Sequence, residues 1–380
     1  MLATIAPLAN GQYTFTVVAD STNPLFVSFG VPSINASGTV AFLANPNPSG
    51  TGVYTVNGGV ITTIAESSSP LFSSFQGNPA INGAGVVAFY ANLDGAGGGI
   101  FTGNGGPTTT IVSVGPPFPT APQLDPAIND AGTVAYREDI FLGGRGIYTS
   151  NGGSRTSIAN TDGPIFAGFP ASAPIDASGR VAFYANLDSG WQGIFTGSGG
   201  AITTIAENSG PIFNSFGESL SITASGTLAF FANLDAGGSG IFRSEGGVIT
   251  PLALTSGPVF SSFGFPSNNG MGVAAFGANL DGGGFGGLYT VDAGVETKVV
   301  RIGEDLFGSQ LTDFNYSTSS LNDLGQVVFG YTLANGTRGV GLATPVPEPA
   351  ATLLLAGAGL GMLLRRWRAS SAWPGVTAAP

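Results

Sequence analysis

The strongest constraint on this chain is a repeat. The pattern Asx/Thr-x-x-Gly-x-Val-Ala-Phe recurs, with small changes, as INASGTVAF from Ile34, INGAGVVAF from Ile81, INDAGTVAY from Ile128, IDASGRVAF from Ile175, ITASGTLAF from Ile222, NNGMGVAAF from Asn268 and LNDLGQVVF from Leu321. Its leading turn residues, Asn35, Asn82, Asn129, Asp176, Thr223, Asn269 and Asn322, are spaced 47, 47, 47, 47, 46 and 53 residues apart. Seven units of that period signal a repeat architecture rather than a string of separate domains.

Turn chemistry divides each unit into four strand-like runs. The Asx-x-x-Gly step fits a type I turn followed by a left-handed glycine, at Gly38, Gly85, Gly132, Gly179, Gly226, Gly272 and Gly325. A second run such as Val87–Tyr90 follows, then a loop such as Asn92-Leu93-Asp94-Gly95, then a third run such as Gly99–Thr102. Asn57-Gly58-Gly59, Asn104-Gly105-Gly106, Asn151-Gly152-Gly153, Ser198-Gly199-Gly200 and Glu245-Gly246-Gly247 then read as hairpins into a β-branched fourth run, as in Ile61–Ala65. A four-stranded antiparallel sheet of this length is one propeller blade.

The chain ends decide between a ring and an open array. A run of fourth-strand character, Thr14–Ala19, precedes the first turn motif, and the seventh unit has second and third runs, Val327–Phe329 and Gly339–Leu342, with no fourth run after them. If Thr14–Ala19 completes the last sheet, seven blades close with no open edge. An open solenoid gives no reason for this permutation and calls for atypical capping units instead. The fold expected is therefore all-β, a seven-bladed β-propeller over residues 12–343 closed by an N-terminal strand, with an open or differently closed β array as the alternative.

Composition narrows the chemistry. The 380 residues include 62 Gly, 25 Pro and 27 Phe but no Cys and no His. There is consequently no imidazole base, no thiol nucleophile, no disulfide and no His or Cys metal ligand. Recurrent aromatics such as Phe72, Phe75, Phe89 and Phe101 are expected to be core between blades. Residues 1–346 carry 21 acidic and 8 basic groups, a net −13, which argues against nucleic acid as a partner.

Beyond the repeat come a linker at 344–349 containing Val346-Pro347-Glu348-Pro349, an apolar stretch from Ala350 to Leu364 and the basic run Arg365-Arg366-Trp367-Arg368. The order Pro-Glu-Pro, apolar helix, Arg cluster resembles the PEP-CTERM sorting tail of exported bacterial proteins. That resemblance implies a transmembrane sorting helix over 350–368 with Arg365, Arg366 and Arg368 on the cytoplasmic side. It also implies processing by an exosortase at or near Pro347-Glu348-Pro349, and a place at the cell surface or in an exopolysaccharide-rich biofilm matrix. Two departures stand beside it. Met1–Gln12 carries no Lys or Arg and no sustained apolar core, the first basic residue being Arg137, so the start codon is expected to have been placed too far downstream of an export leader. A tail of twelve residues, 369–380, also follows the Arg cluster. The repeat core itself looks like the tandem-repeat proteins named for the NxxGxxAF motif, a resemblance that brings no activity.

Two site readings were open. The loops containing Asn92 and Asp94, Asn186 and Asp188, Asn233 and Asp235, and Asn279 and Asp281 fall on one face of a propeller and are weak calcium candidates. Each loop offers one Asp and one Asn where calcium takes about six to eight oxygens, and the plainer reading is Asx residues forming turns before Gly. The adjacent acids Glu138-Asp139 and Glu304-Asp305 point to opposite faces if extended, so neither is a converging acid–base pair. The expectation is a non-catalytic surface or matrix propeller without cofactor, binding exopolysaccharide or surface proteins. Its rival is a carboxylate-based polysaccharide hydrolase or lyase, which requires at least two acids converging in the central funnel.

Overall fold

The computed structural model describes residues 13–114, 125–140 and 144–346. They form a seven-bladed β-propeller, and no helix occurs among the described residues. In blade 2 the four strands are Phe72–Ile81, Val87–Leu93, Gly98–Gly103 and Thr109–Val114, antiparallel and paired in chain order. The other blades repeat this plan. Their innermost strands are Phe26–Phe29 with Ser33–Ile34 in blade 1, Ala127–Ile128 in blade 3, Phe166–Gly168 in blade 4, Phe213–Ile222 in blade 5, Phe260–Asn268 in blade 6 and Ser309–Asn315 in blade 7.

Closure occurs where the sequence placed it. Tyr13–Asp20 is the outer strand of blade 7, paired with Arg338–Pro345. The corner is fixed by Ser21 N donating to Arg338 O (2.8 Å) and Arg338 N donating to Ser21 Oγ (3.1 Å). The ring is thereby locked by chain segments more than 300 positions apart.

The seven turn glycines adopt φ between 72° and 90°, a region open to Gly at no steric cost. The hairpins between third and fourth strands are less uniform than the shared Gly-Gly pairs suggest. Gly58-Gly59 and Gly246-Gly247 both take positive φ and join Asn57 to Val60 and Glu245 to Val248 as two-residue turns. In blades 2, 3 and 4 the last pairs are Thr102–Thr109, Thr149–Thr156 and Thr196–Thr203, so those connections are longer loops. Pro107 follows Asn104-Gly105-Gly106 and cannot donate to a ladder there.

The recurrent aromatics are core. Phe72, Phe75, Phe89 and Phe101 are 2%, 4%, 1% and 2% exposed and pack with Ala41, Val53 and Ile64 of blade 1, so the cluster fills the space between neighbouring blades. Within it Phe72 meets Phe101 edge to face with centroids 4.9 Å apart, while Phe89 stacks on Phe101. Equivalent quartets recur, for example Phe213, Phe216, Phe230 and Phe242. The sorting residues Pro347, Glu348, Pro349, Arg365, Arg366 and Arg368, and the expected helix over 350–368, lie outside the described residues.

Candidate functional site

The central channel is lined by the inner strands, and its two ends differ in kind. At one end stand the seven Asx-x-x-Gly turns. Each Asn or Asp at the head of a turn accepts, through Oδ1, the backbone N–H four residues on: Thr39 N to Asn35 (2.9 Å), Val86 N to Asn82 (2.9 Å) and Arg180 N to Asp176 (2.9 Å). The amide nitrogen then reaches the next blade. Asn35 Nδ2 donates to Asn82 O (2.9 Å), Asn82 to Asn129 O (3.0 Å), Asn129 to Asp176 O (3.1 Å), Asn269 to Asn322 O (2.9 Å) and Asn322 back to Asn35 O (3.1 Å). These side chains are buried, so each bond satisfies a group that would otherwise be costly.

The relay lapses at blades 4 and 5, where Asp176 and Thr223 have no amide to give. Substitutes stand beside them. Arg180 pairs with Asp176 (3.1 Å) and sends Nη2 to Gly226 O of blade 5 (3.2 Å), and Asn268 Nδ2 of blade 6 reaches Thr227 O (3.0 Å). Most polar arms at this end hold their own turn or the next blade, around a cavity of about 200 Å³, while Asn268 Oδ1 has no partner among the described residues.

Deeper in the channel the inner strands leave their ladders. Three residues, Gly77-Asn78-Pro79, oppose one between the pairs Gln76–Tyr90 and Ala80–Ala88, and Gly217-Glu218-Ser219 do the same between Phe216–Ala232 and Leu220–Phe230. In blade 6 Gly264-Phe265 bulge between Phe263–Ala278 and Pro266–Phe276. Pro32, Pro79, Pro126 and Pro266, each three residues before a turn Asx, lack the N–H that would keep these strands zipped. Bulges re-aim side chains, and here they form a belt around the channel. The position four residues before the turn Asx or Thr is Val31, Asn78, Asp125, Ser172, Ser219 and Phe265 in blades 1 to 6. Within a unit that repeats its turns and core, this position changes character in nearly every blade.

Two connected cavities open on the belt. One, of about 170 Å³, is lined by Asn78, Asp125, Ser172, Ser219, Phe265 and Tyr316 among others. The other, of about 280 Å³, shares Asp125, Ser172 and Ser219 and adds Arg137 and Glu218. Arg137 stands in the second strand of blade 3 where blades 2 and 4 have Tyr90 and Tyr184. Its Nη1 donates to Phe169 O, and its buried Nε has no partner among the described residues. Asp125 is exposed as a residue, but one carboxyl oxygen is turned inward to accept Asn78 N (2.7 Å). Desolvation raises its pKa, opposed by that N–H and by Arg137.

Blade 7 supplies the floor and an aromatic wall. A turn at Ser317–Ser320 crosses the channel, Thr318 O accepting Ser221 Oγ of blade 5 (2.9 Å) and Ser319 O accepting Ile34 N of blade 1 (3.0 Å). Part of the longer 53-residue spacing is thus spent inside the channel. Tyr316 stacks on Phe265 with centroids 4.5 Å apart, donates its hydroxyl to Phe265 O (2.8 Å) and accepts Gly277 N (2.7 Å). Burial pushes the phenol up to about 12, so it stays protonated. A Cβ on Gly264 or Gly277 would sit 2.7 or 2.9 Å from that oxygen, which is why both positions are Gly.

The other expected site residues are not brought together. Asp94, Asp188, Asp235 and Asp281 are exposed on four separate blades. Asn92, Asn233 and Asn279 donate to Ser74 (2.8 Å), Ser215 (2.8 Å) and Ser262 (2.9 Å) of their own blades, while Asn186 accepts Tyr184 Oη (3.3 Å). No group of three or more acidic side chains suited to a metal ion occurs among the described residues. Glu138 pairs with Arg155 (2.6 Å) and Asp139 with Arg145 (3.3 Å), two separate ion pairs. Glu304 is taken by Lys298 (2.6 Å) and Arg301 (3.4 Å). Glu304 and Asp305, singled out in the sequence, line one cavity with Lys298 and Arg301, whereas Asp125 and Glu218, which share a cavity with Arg137, were not singled out.

Fold and channel define the class: a seven-bladed propeller with a hydrogen-bonded ring of turns at one end and an irregular, polar belt. Residues 16–123 match the model of a family of unknown function, DUF7453. No curated protein matches the sequence. Among solved structures, an oligogalacturonate lyase from Vibrio parahaemolyticus superposes with a TM-score of 0.52 at 12% identity over 90% of this chain and 99% of that one. A puromycin-hydrolysing peptidase from Mycobacterium tuberculosis (TM-score 0.39, 13% identity, 87% of this chain and 61% of that one) is less similar. So is the six-bladed lectin of Aleuria aurantia (TM-score 0.36, 11% identity, 70% and 93%). Identities this low speak to the fold alone.

Proposed function

We propose that this chain is an exported propeller that binds or builds at the cell surface or in the extracellular matrix and catalyses no reaction. In this reading the stretch 350–368 inserts in the membrane with Arg365, Arg366 and Arg368 inside, and an exosortase processes the precursor at or near Pro347-Glu348-Pro349. The observation that carries it is the ordered signal Pro-Glu-Pro, apolar stretch, Arg cluster directly after a closed repeat. Support for a binding role comes from the belt, where side chains differ from blade to blade and Arg137 Nε has no partner among the described residues. The test is expression in a host with and without an exosortase, followed by intact-mass analysis. The reading predicts loss of a C-terminal fragment only with the enzyme present, abolished by replacing Pro347-Glu348-Pro349 with alanines. An unprocessed chain in both hosts contradicts it.

A second reading, a carboxylate-based polysaccharide hydrolase or lyase, is favoured by one specific observation: Asp125 and Glu218 line the same cavity beside Arg137. Incubation with the producer's own exopolysaccharide decides between the two. Release of reducing or unsaturated ends, lost in Glu218→Gln, supports the enzyme, and intact polymer supports the binder.

A further inference from the structure

We propose that the belt is a binding site for the end of a neutral saccharide chain. The inference deepens the binding half of the function proposed above and does not depend on the sorting half. Three features of the cavities select the ligand. First, their walls are polar: Ser33, Ser172, Ser219, Ser317, Asn78, Asp125, Arg137 and Glu218 offer both hydrogen-bond donors and acceptors, an unsuitable lining for an apolar guest. Vicinal hydroxyls, each donor and acceptor at once, match such a mixed lining.

Second, the polar groups with bonding capacity to spare are the ones a polyol would use. Arg137 Nε is buried and unpartnered among the described residues, and a buried donor of that kind calls for an acceptor. Among the described residues the Glu218 carboxylate makes no hydrogen bond or ion pair, and Asp125 accepts one hydrogen bond, from Asn78 N, through a single oxygen. Bonds from hydroxyls to such carboxylates are charge-assisted and stronger than neutral ones. Third, the partly exposed ring of Phe265, beside Tyr316, gives an apolar wall on the cavity that shares Asp125, Ser172 and Ser219 with the one holding Arg137 and Glu218. One apolar face with hydrogen-bonding groups around it is the complement of a pyranose ring, apolar on its face and hydroxylated at its edge.

Charge decides the subclass. Two carboxylates face one guanidinium in the cavity, within a propeller of net −13 over residues 1–346, so a uronate or phosphorylated sugar would be repelled. An amino sugar would be drawn to the acids but would leave Arg137 Nε facing a cation.

The experiment is an oligosaccharide array probed with the full-length protein, carrying neutral, uronate-bearing and amine-bearing glycans at low and high salt. Titration of the best neutral hit follows, against wild type, Phe265→Ala, Glu218→Gln and Asp125→Asn, with Asp94→Asn on an outer loop as control. The expected result is binding to neutral glycans that salt barely changes, weakened about tenfold or more by Phe265→Ala and by Glu218→Gln, and unchanged by Asp94→Asn. Glu218→Gln keeps side-chain shape and breaks no bond among the described residues, so it reads the site even if Phe265→Ala loosens the Tyr316 stack. Tightest binding to a uronate or amine glycan, no neutral glycan bound, or binding indifferent to Phe265 and Glu218 overturns the proposal. None of these outcomes touches exosortase processing, which stands or falls on its own assay.

Discussion

The two ends of the channel are made from the same seven units and behave oppositely. At the turn end the chain repeats itself, and the amide arms reach the neighbouring blade, from Asn35 Nδ2 on Asn82 O to Asn322 Nδ2 on Asn35 O, lapsing at Asp176 and Thr223. At the belt, three to six residues away in sequence, the repeat lapses: Asn78, Asp125, Ser172, Ser219 and Phe265 replace one another, and Arg137 Nε lacks a partner among the described residues. A ring needs identical joints because each blade meets its neighbour in the same geometry. A ligand in the channel sees all blades at once and has no such symmetry. Uniformity marks the joints of this molecule, and variation marks the surface it offers.

The largest effect should come from opening the ring itself. Removing Tyr13–Asp20 exposes the edge of Arg338–Pro345, and thermal unfolding monitored by circular dichroism should lose its single cooperative transition, with association visible by size exclusion. Retention of the wild-type melt would mean that the N-terminal strand does not close the propeller.

Breaking one joint is milder. Asn129→Ala leaves Thr133 N without its acceptor and takes the cross-blade donor from Asp176 O, which keeps Gly179 N, and should lower stability by about 1–3 kcal/mol in denaturant unfolding. Conversely, Thr223→Asn restores an amide where the relay lapses and should add roughly 0.5–1 kcal/mol if it reaches Asn269 O. Destabilisation by Thr223→Asn would show that Asn268, with its bond to Thr227 O, already does that work.

Belt substitutions should scarcely register in stability. Glu218→Gln is expected to stay within about 0.5 kcal/mol of wild type. Asp125→Asn should be slightly stabilising at neutral pH. Desolvation raises the folded-state pKa of Asp125, so the penalty of ionising it is present above that pKa and absent below the unfolded value. The advantage of the variant should therefore fade as pH falls through the carboxylate range. A pH-independent difference would assign the effect to the Asn78 contact instead.

What was legible in the sequence follows the same division. Blade number, turn chemistry, core aromatics and closure by Thr14–Ala19 could be read because each depends on residues that recur at a fixed period, and local turns and hydrophobic runs respond to such residues alone. The two-residue hairpins held at Gly58-Gly59 and Gly246-Gly247, while Gly105-Gly106, Gly152-Gly153 and Gly199-Gly200 sit in longer loops, with or without a proline after them. The belt carries no shared residue to read, its signal being a disagreement: counted back from the turn Asx or Thr, the fourth and fifth residues vary from blade to blade, with proline at the third in four blades. The cross-blade relay needed three dimensions, since nothing in Asn-x-x-Gly says that the amide reaches 47 residues on. The spacing of 53 announced an insertion, but not that Ser317–Ser320 would cross the channel to Ser221.

The most direct test of the division is thermal melting of wild type, Asn129→Ala and Glu218→Gln, each with and without a saturating neutral oligosaccharide. One melt reports both intrinsic stability and, through the ligand-induced rise, binding. The account predicts that Asn129→Ala melts lower but keeps the ligand-induced rise, while Glu218→Gln melts at the wild-type temperature and loses it. A Glu218→Gln protein that melts early, or an Asn129→Ala protein that keeps its stability and loses the rise, would contradict the assignment of joints to one end of the channel and binding to the other.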